Sequence, residues 1–281
     1  LAEQVQATAF VAHPYQNPVI GWPSDIESWT IEDLERYHRT YYAPNNTTLV
    51  IVGDVDPDEV FALAERYFGP IPAQLPPPPV RTVEPPQAGQ RRVEVRRPGQ
   101  TTYLHVAFHT TPKRHPDTLA LRMLMDILAT GESSRLYRRL VDEDQTAIAA
   151  RGAVDAEFDP GLSWILLTLP AGADADAVEE TLFEELGRIA SDGVDPAELD
   201  KVRNIHLADF WRTLATIDGK ADLIGDHAVF HGDWREALTL ADRIEAVTPE
   251  QIRRIAGETF RRQNSTVGIV VPVTEAGEAE S

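Results

Sequence analysis

Apolar residues recur at helical spacing in some stretches of this chain and alternate with polar ones in others, and the order of the two patterns sets the expected architecture. Residues 1–10 carry a helical pattern that His13-Pro14-Tyr15 and Asn17-Pro18 break into an extended loop, because proline lacks a donor and restrains its predecessor. Glu59 to Tyr67 puts Val60, Leu63, Ala64 and Tyr67 on one helical face, and Asp117 to Leu128 does the same with Leu119, Leu121, Met123, Leu124 and Ile127. Gly131 stops that helix, and Ser133-Ser134 are placed to cap a following one, Arg135 to Glu143. Ala173 to Ala190 and Pro196 to Leu214 predict long helices, and residues 218–242 continue helically with interruptions at Gly225 and Gly232. Alternation marks the strands. RRVEVRRP and TTYLHVAFHT, around Pro98-Gly99, predict a β-hairpin with Val93, Val95, Leu104, Val106 and Phe108 facing inward. Ala147 to Asp155 and Leu162 to Leu169 predict two more strands, the second with a Trp164-Ile165-Leu166-Leu167 run that suits a position buried on both sides. Strands and helices in this order predict an α+β fold, a mainly antiparallel sheet covered by helices.

One stretch occurs twice. Ser28 to Val55 returns as Ala246 to Val273 without a gap, at a constant offset of 246 − 28 = 218. Thr30/Thr248, Glu32/Glu250, Arg36/Arg254, Asn46/Asn264, Ile51/Ile269 and Val55/Val273 are identical, and Leu34/Ile252, Tyr42/Phe260 and Leu49/Val267 match in kind. Each copy predicts a Thr-capped helix, a turn and a β-branched strand. Only 27 residues precede the first copy, against 245 before the second, so the fold expected is a duplicated unit whose first member is truncated in this chain. Between them, residues 70–86 hold eight prolines and predict a semi-rigid polyproline II linker. The expected division is therefore 1–69 for the closing part of a first domain, 70–90 for the linker, 91–275 for a second domain and 276–281 for a disordered tail.

Composition narrows the partners more than the function. A net charge of −19 and a pI near 4.7 argue against nucleic acid and anionic membrane surfaces and leave, at most, a preference for basic partners. With no cysteine there is no disulfide, thiol nucleophile or thiolate metal site. No run approaches the roughly 18 apolar residues of a membrane span. The compartment stays open between bacterial periplasm and cytoplasm.

Candidate chemistry is sparse. His227-x-x-x-His231, with Asp226 or Asp233 nearby, has ligand spacing but no Glu in the place of a general base, so a helix end is the favoured reading. His105 and His109 share one face of a strand and are expected as sheet-surface histidines near a turn. Ser133-Ser134-Arg135 is expected to cap a helix rather than supply a nucleophile, and Glu184-Glu185 and Asp142-Glu143-Asp144 are expected to be solvated helix faces. No Gly-rich phosphate loop, dinucleotide fingerprint or nucleophile elbow is present.

The motifs nevertheless add up to a resemblance. His13-Pro14-Tyr15, Ile20-Gly21, Tyr41-Tyr42-x-Pro44-Asn45-Asn46, Gly53-Asp54-Val55 and Tyr67-Phe68-Gly69 look like the end of the first domain of the pitrilysin/insulinase-type (inverzincin) zinc metallopeptidases. His115-Pro116-Asp117, Gly131-x-Ser133-Ser134-Arg135-Leu136-Tyr137, Pro160-Gly161 and Asp195-Pro196-x-Glu198-Leu199 are similar to that family's second, non-catalytic domain, in the bacterial, mitochondrial-processing-peptidase-like branch. The resemblance implies a parent protein that hydrolyses peptides or unfolded protein segments with zinc held by a His-x-x-Glu-His helix and a distal Glu. That motif does not occur here, so no catalytic residue, no metal ligand and no zinc are expected in this chain. Relatives also carry an Arg and a Tyr that hold the peptide backbone; the matching positions are Val141 and Ile148, so this clamp is expected to be missing. A homo- or heterodimer partner of the same family is implied as well. The alternative reading is a non-catalytic structural or partner subunit of the same fold.

Overall fold

The structure, a computed structural model, describes residues 1–273. In chain order its elements are helices α1 (Ala2–Ala9), α2 (Pro23–Ser28), α3 (Ile31–Tyr41) and α4 (Pro57–Phe68), strands β1 (Arg91–Pro98) and β2 (Thr102–His109), and helix α5 (Thr118–Ala129). A π-helical segment (Tyr137–Glu143), β3 (Ala149–Asp155) and β4 (Leu162–Leu169) follow. Helices α6 (Ala175–Asp192), α7 (Pro196–Leu214), α8 (Ile217–Phe230), α9 (Leu240–Glu245) and α10 (Pro249–Thr259), then β5 (Ser265–Val273), complete the described chain. The tail expected at 276–281 lies outside the described residues.

Residues 1–18, 82–206 and 243–273 form one compact unit, built on a five-stranded sheet in the order β1-β5-β2-β4-β3. All pairings are antiparallel except β1 with β5. The fold is thus α+β, with a mainly antiparallel sheet. One face carries Leu104, Val106, Phe108, Ile165, Leu167, Leu169 and Val267 into a core with Leu121, Leu124 and Leu128 of α5, Leu182 and Leu186 of α6, and Ile252 and Ile255 of α10. The other face is covered over β1, β5 and β2 by α1, whose Val5 and Ala9 pack with Ala107, Leu162 and Phe10. Gly268 makes this approach possible: a Cβ there would stand 2.3 Å from Val5 Cγ2.

Three expectations change here. The β1–β2 hairpin does not form, because β5 is inserted between the two strands. Residues 99–101 can still connect them, since two strand spacings amount to about 9.6 Å and three extended residues reach that far. The Gly99 N–H donates to Val273 O at 3.3 Å as the connection passes the end of β5. Charge explains the placement, because Arg91, Arg92, Glu94, Arg96 and Arg97 suit β1 to an edge, whereas the apolar β5 gains most from two neighbours. Next, β4 is not buried on both sides; Ile165 and Leu167 face the core while Trp164, Leu166 and Thr168 are half-buried. Finally, His105 and His109 are not surface residues, for α1 and Phe10 cover their face.

Residues 19–81 and 207–242 form the second unit. Here α3 has the expected capping box, with Thr30 Oγ1 accepting from the Asp33 N–H at 3.2 Å and Asp33 Oδ2 accepting from the Thr30 N–H at 3.1 Å. The strand expected at 47–52 is absent: its β-branched residues run on from the turn without a ladder neighbour among the described residues, and a strand exists only by pairing. Gly225 does not interrupt α8, which runs through it to Phe230; the chain turns only at Gly232, with φ +81°. Val50 is half-buried, its Cγ2 3.6 Å from where a Cβ on Gly225 would stand.

Two outcomes follow from this packing. A Cβ at Gly152 of β3 would meet Met125 Cε at 2.7 Å, Trp164 O at 2.9 Å and Ala129 Cβ at 3.0 Å, so Gly152→Ala is expected to destabilise the unit by about 1–3 kcal/mol in urea unfolding. Burial lowers the His105 pKa from 6.5 to about 4, so the unfolded chain binds the extra proton first. Stability is then expected to fall as pH drops from 6.5 towards 4, and His105→Leu to flatten that part of a stability–pH curve.

Candidate functional site

Val141 and Ile148, the positions expected to match the clamp, lie beside β3 at an edge of the sheet. From Leu136 the chain winds into the π-helical segment, whose Leu140 is fully buried and holds the turn that follows: Leu140 O accepts from the N–H of Thr146 at 2.9 Å and of Ala147 at 3.0 Å. Gln145, at φ 53°, makes the reversal. Ile148 then joins the sheet through its N–H, donating to Thr168 O at 2.7 Å. Val141 is partly buried against the core and Ile148 is 58 % exposed. The two positions therefore flank one turn at the entry to β3, and neither side chain can donate a hydrogen bond. The backbone of β3 can, since among the described residues the strand pairs only with β4 and its other side is open.

Behind β3 stands α5, with Met125 and Ala129 against Gly152. Asp126, one residue along, accepts from Thr130 Oγ1 at 2.7 Å and pairs with His206 Nε2 of α7 at 2.7 Å. This couples two helices and makes no metal set. Among the described residues no group of three or more His, Cys, Asp or Glu is placed to hold a metal ion. His227 and His231 stack at 4.8 Å between ring centres near the end of α8, the first with Nδ1 2.9 Å from Leu223 O and the second with Nδ1 3.2 Å from Glu236 Oε2. Neither belongs to a group of three or more possible metal ligands among the described residues.

The remaining motif residues are where the chain ties itself together. Arg135 forms a fork on Glu198, Nε to Oε1 at 2.9 Å and Nη2 to Oε2 at 2.6 Å, and its Nη2 also reaches Gly193 O at 3.2 Å. Two motifs 63 residues apart thus meet in one bidentate bridge. The Arg135 bonds hold the Glu198 carboxyl below its ordinary pKa. Asp117 likewise joins α5 to α10, accepting from Arg254 Nη2 at 2.6 Å and Gln251 Nε2 at 3.1 Å. His13 is buried, with Nδ1 accepting from the Tyr15 N–H and Nε2 3.2 Å from Asp159 Oδ2.

Several local expectations are revised. Ser134 does not accept from a helix N–H; its hydroxyl donates to Gly131 O at 2.7 Å, while Ser133 Oγ meets Lys201 Nζ. Glu185 is buried and bridged to Arg188 at 2.5 Å, so only Glu184 of that pair is solvated. Sequence reasoning passed over Glu84, whose carboxylate takes the N–H groups of Val11, Ala12 and His13 at 2.9 Å each. The available signal was its isolation: it is the sole acidic residue in the proline-rich stretch 70–90. Burial opposes its charge, but the three donors outweigh that and lower its pKa.

Fold and edge together define an α+β domain with an edge strand at β3 and tight internal bridges at its motif residues. The chain belongs to the family described as Peptidase M16 inactive domain, which it matches over residues 28–205. It is 28% identical over 270 residues to the zinc protease PqqE of Helicobacter pylori, covering 94% of this chain and 60% of that protein. It is 26% identical over 280 residues to a probable mitochondrial-processing peptidase subunit beta of Schizosaccharomyces pombe, covering 95% of this chain and 61% of that protein. Among solved structures, a protease from Helicobacter pylori superposes with a TM-score of 0.89 at 26% identity, over 96% of this chain and 66% of that one. The chain therefore spans about 60% of the length of the curated relatives it matches.

Removing the charge of Glu198 tests the bridge. Glu198→Gln is expected to cost about 1.5–3 kcal/mol, because it breaks a charge-assisted fork at partly buried groups. A depressed folded pKa adds stability above the ordinary value of 4.5, lost as pH falls below it towards the folded value. The variant's deficit, read by urea unfolding, should accordingly shrink between pH 5 and pH 3.

Proposed function

We propose that this chain is the C-terminal portion of a zinc metalloendopeptidase that hydrolyses peptides or unfolded protein segments, with the metal site outside the chain. In this reading residues 1–69 close the first, zinc-type domain, 70–90 are the linker and 91–275 are the second, inactive-type domain. One observation carries it: relatives whose names declare zinc proteases match the chain along nearly all of its length, yet are longer than it. Among the described residues no group of three or more His, Cys, Asp or Glu is placed to hold a metal ion, which is in keeping with a metal site outside the chain. In this reading the chain contributes binding. The open side of β3 offers main-chain donors and acceptors to an extended peptide, the mode in which a strand adds to a sheet edge. With Val141 and Ile148 at the clamp positions, hydrogen bonding comes from backbone and the side chains give only apolar contact.

A second reading has one observation behind it. That reading is a partner subunit that is non-catalytic even at full length: one relative is named as a subunit of a processing peptidase, and Val141 and Ile148 at the expected clamp positions keep the reading open. The two separate on the natural full-length protein. The first expects about one zinc per chain by elemental analysis and cleavage of an unstructured peptide that a chelator abolishes; residues 1–281 alone should show neither. Full-length protein free of zinc and inactive establishes the second reading, and tight one-to-one zinc on residues 1–281, lost on changing His227 and His231, defeats both.

A further inference from the structure

The proline-rich stretch is fixed at both ends and free between them. At its start Asn45 Oδ1 accepts from the Gln74 N–H at 3.0 Å, while Asn45 Nδ2 donates to Gln74 O at 2.9 Å. At its far end the Glu84 carboxylate holds the N–H groups of Val11, Ala12 and His13, and Gln87 Nε2 donates to Ser265 O at 2.7 Å. Residues 75–83, between these anchors, form neither helix nor strand and make no hydrogen bond or ion pair among the described residues. Leu75, Pro76, Pro77 and Pro78 each precede a proline, which confines them to extended or polyproline II backbone, and every proline has its own φ set at about −65°. The segment is therefore a preformed polyproline II rod that loses little freedom when something binds it. A rod of three residues per turn has three edges. Leu75, Pro78 and Arg81 share one, Pro76 and Pro79 the next, and Pro77 and Val80 the third. Of these seven residues only Pro77 is half-buried, so the first two edges stand in solvent, with Leu75 88% exposed. Arg81 is the sole basic residue between Arg66 and Arg91. A spacer requires the prolines; it requires neither Leu75 at their head nor a cation two residues beyond Pro79.

We propose that Leu75 to Arg81 is a docking segment for a separate protein domain whose groove is lined by aromatic rings and bordered by carboxylates. Grooves of this kind take polyproline II ligands between their rings, because the rod arrives already ordered and presents apolar ridges at a fixed repeat. Leu75-Pro76 fills one slot, and Pro78-Pro79 fills the next, about 9 Å further along the rod. Arg81 then reaches the border, where the carboxylates supply the charge it lacks in its own chain. A polyproline II rod presents similar ridges in either direction, so the single cation at one end decides which way the segment lies in the groove. The surface recruits and has no part in bond breaking, and the inference is independent of whether the longer protein is a peptidase.

The test uses residues 1–281 and the natural longer protein, each titrated against an isolated SH3 domain of the class that selects a basic residue after its proline pair, with the fluorescence of the groove tryptophan as the signal. Saturable binding is expected to both, weakened at least about 10-fold by Pro76→Ala combined with Pro79→Ala and, separately, by Arg81→Glu. Two controls are expected to bind as the parent does: Arg97→Glu, which changes the net charge equally at another exposed arginine, and Pro70→Ala, which lies ahead of the Asn45 anchor. All of these side chains are exposed, so thermal melting should be the same for every variant. Absence of saturable binding overturns the proposal, as does equal weakening by Arg81→Glu and Arg97→Glu, which would make bulk charge the cause. Binding by residues 1–281 that the longer protein lacks overturns it too, because the segment would then be covered in the whole protein.

Discussion

The insertion of β5 between β1 and β2 is the constraint on which the larger unit depends. It satisfies both edges of a strand whose apolar residues could not be left bare, and it draws α10 onto the sheet, where Ile252 and Ile255 complete the core. It also makes the unit's central contacts the most distant in sequence: Val267 pairs with Arg92 on one side and Val106 on the other. During synthesis the facing edges of β1 and β2 stay unpaired until the last strand is made, so sheet closure is a late, non-local event of the kind that slows folding. The charged side chains of β1 keep the waiting edge from pairing elsewhere.

The motif residues carry a second lesson. Arg135 with Glu198, Arg254 with Asp117, His13 with Asp159 and Glu84 with three N–H groups are all bridges between segments distant in sequence. Each holds a loop or helix end against an element that hydrophobic packing alone would leave free to slide. A family signature at such positions records architecture. One of the two strand edges of the sheet lies elsewhere, at β3, where the residues of its entry turn, Val141 and Ile148, are aliphatic.

Most element positions were legible in the sequence because helical and alternating spacings are local properties. β4 occupies the expected residues, and α5 and α7 lie within a residue of expectation. Pairing was not legible. Arg91 to Pro98 and Thr102 to His109 are near neighbours in sequence with a Pro-Gly between them, and nothing local tells that Ser265 to Val273 will part them. The same holds for residues 47–52, whose composition is that of a strand although pairing decides whether one exists. His105 was misplaced because alternation along β2 distinguishes two faces and says nothing of whether α1 will cover the second. The Val141 and Ile148 positions were found through resemblance alone, since two aliphatic residues near a turn carry no chemical signal of their own.

The two glycine contacts described above are mirror images. On β5 the strand supplies Gly268 and the helix supplies Val5; at residues 47–52 the strand supplies Val50 and the helix supplies Gly225. Knob and hole have changed sides between the copies. Exchanging helices would set two valines in one gap and two glycines across the other, an overlap in the first case and a void in the second. Helix α1 precedes the first copy but lies on β5 of the second, and α8 precedes the second copy but lies against residues 47–52 of the first, so the knob-and-hole fit matches each strand to the helix that precedes its twin.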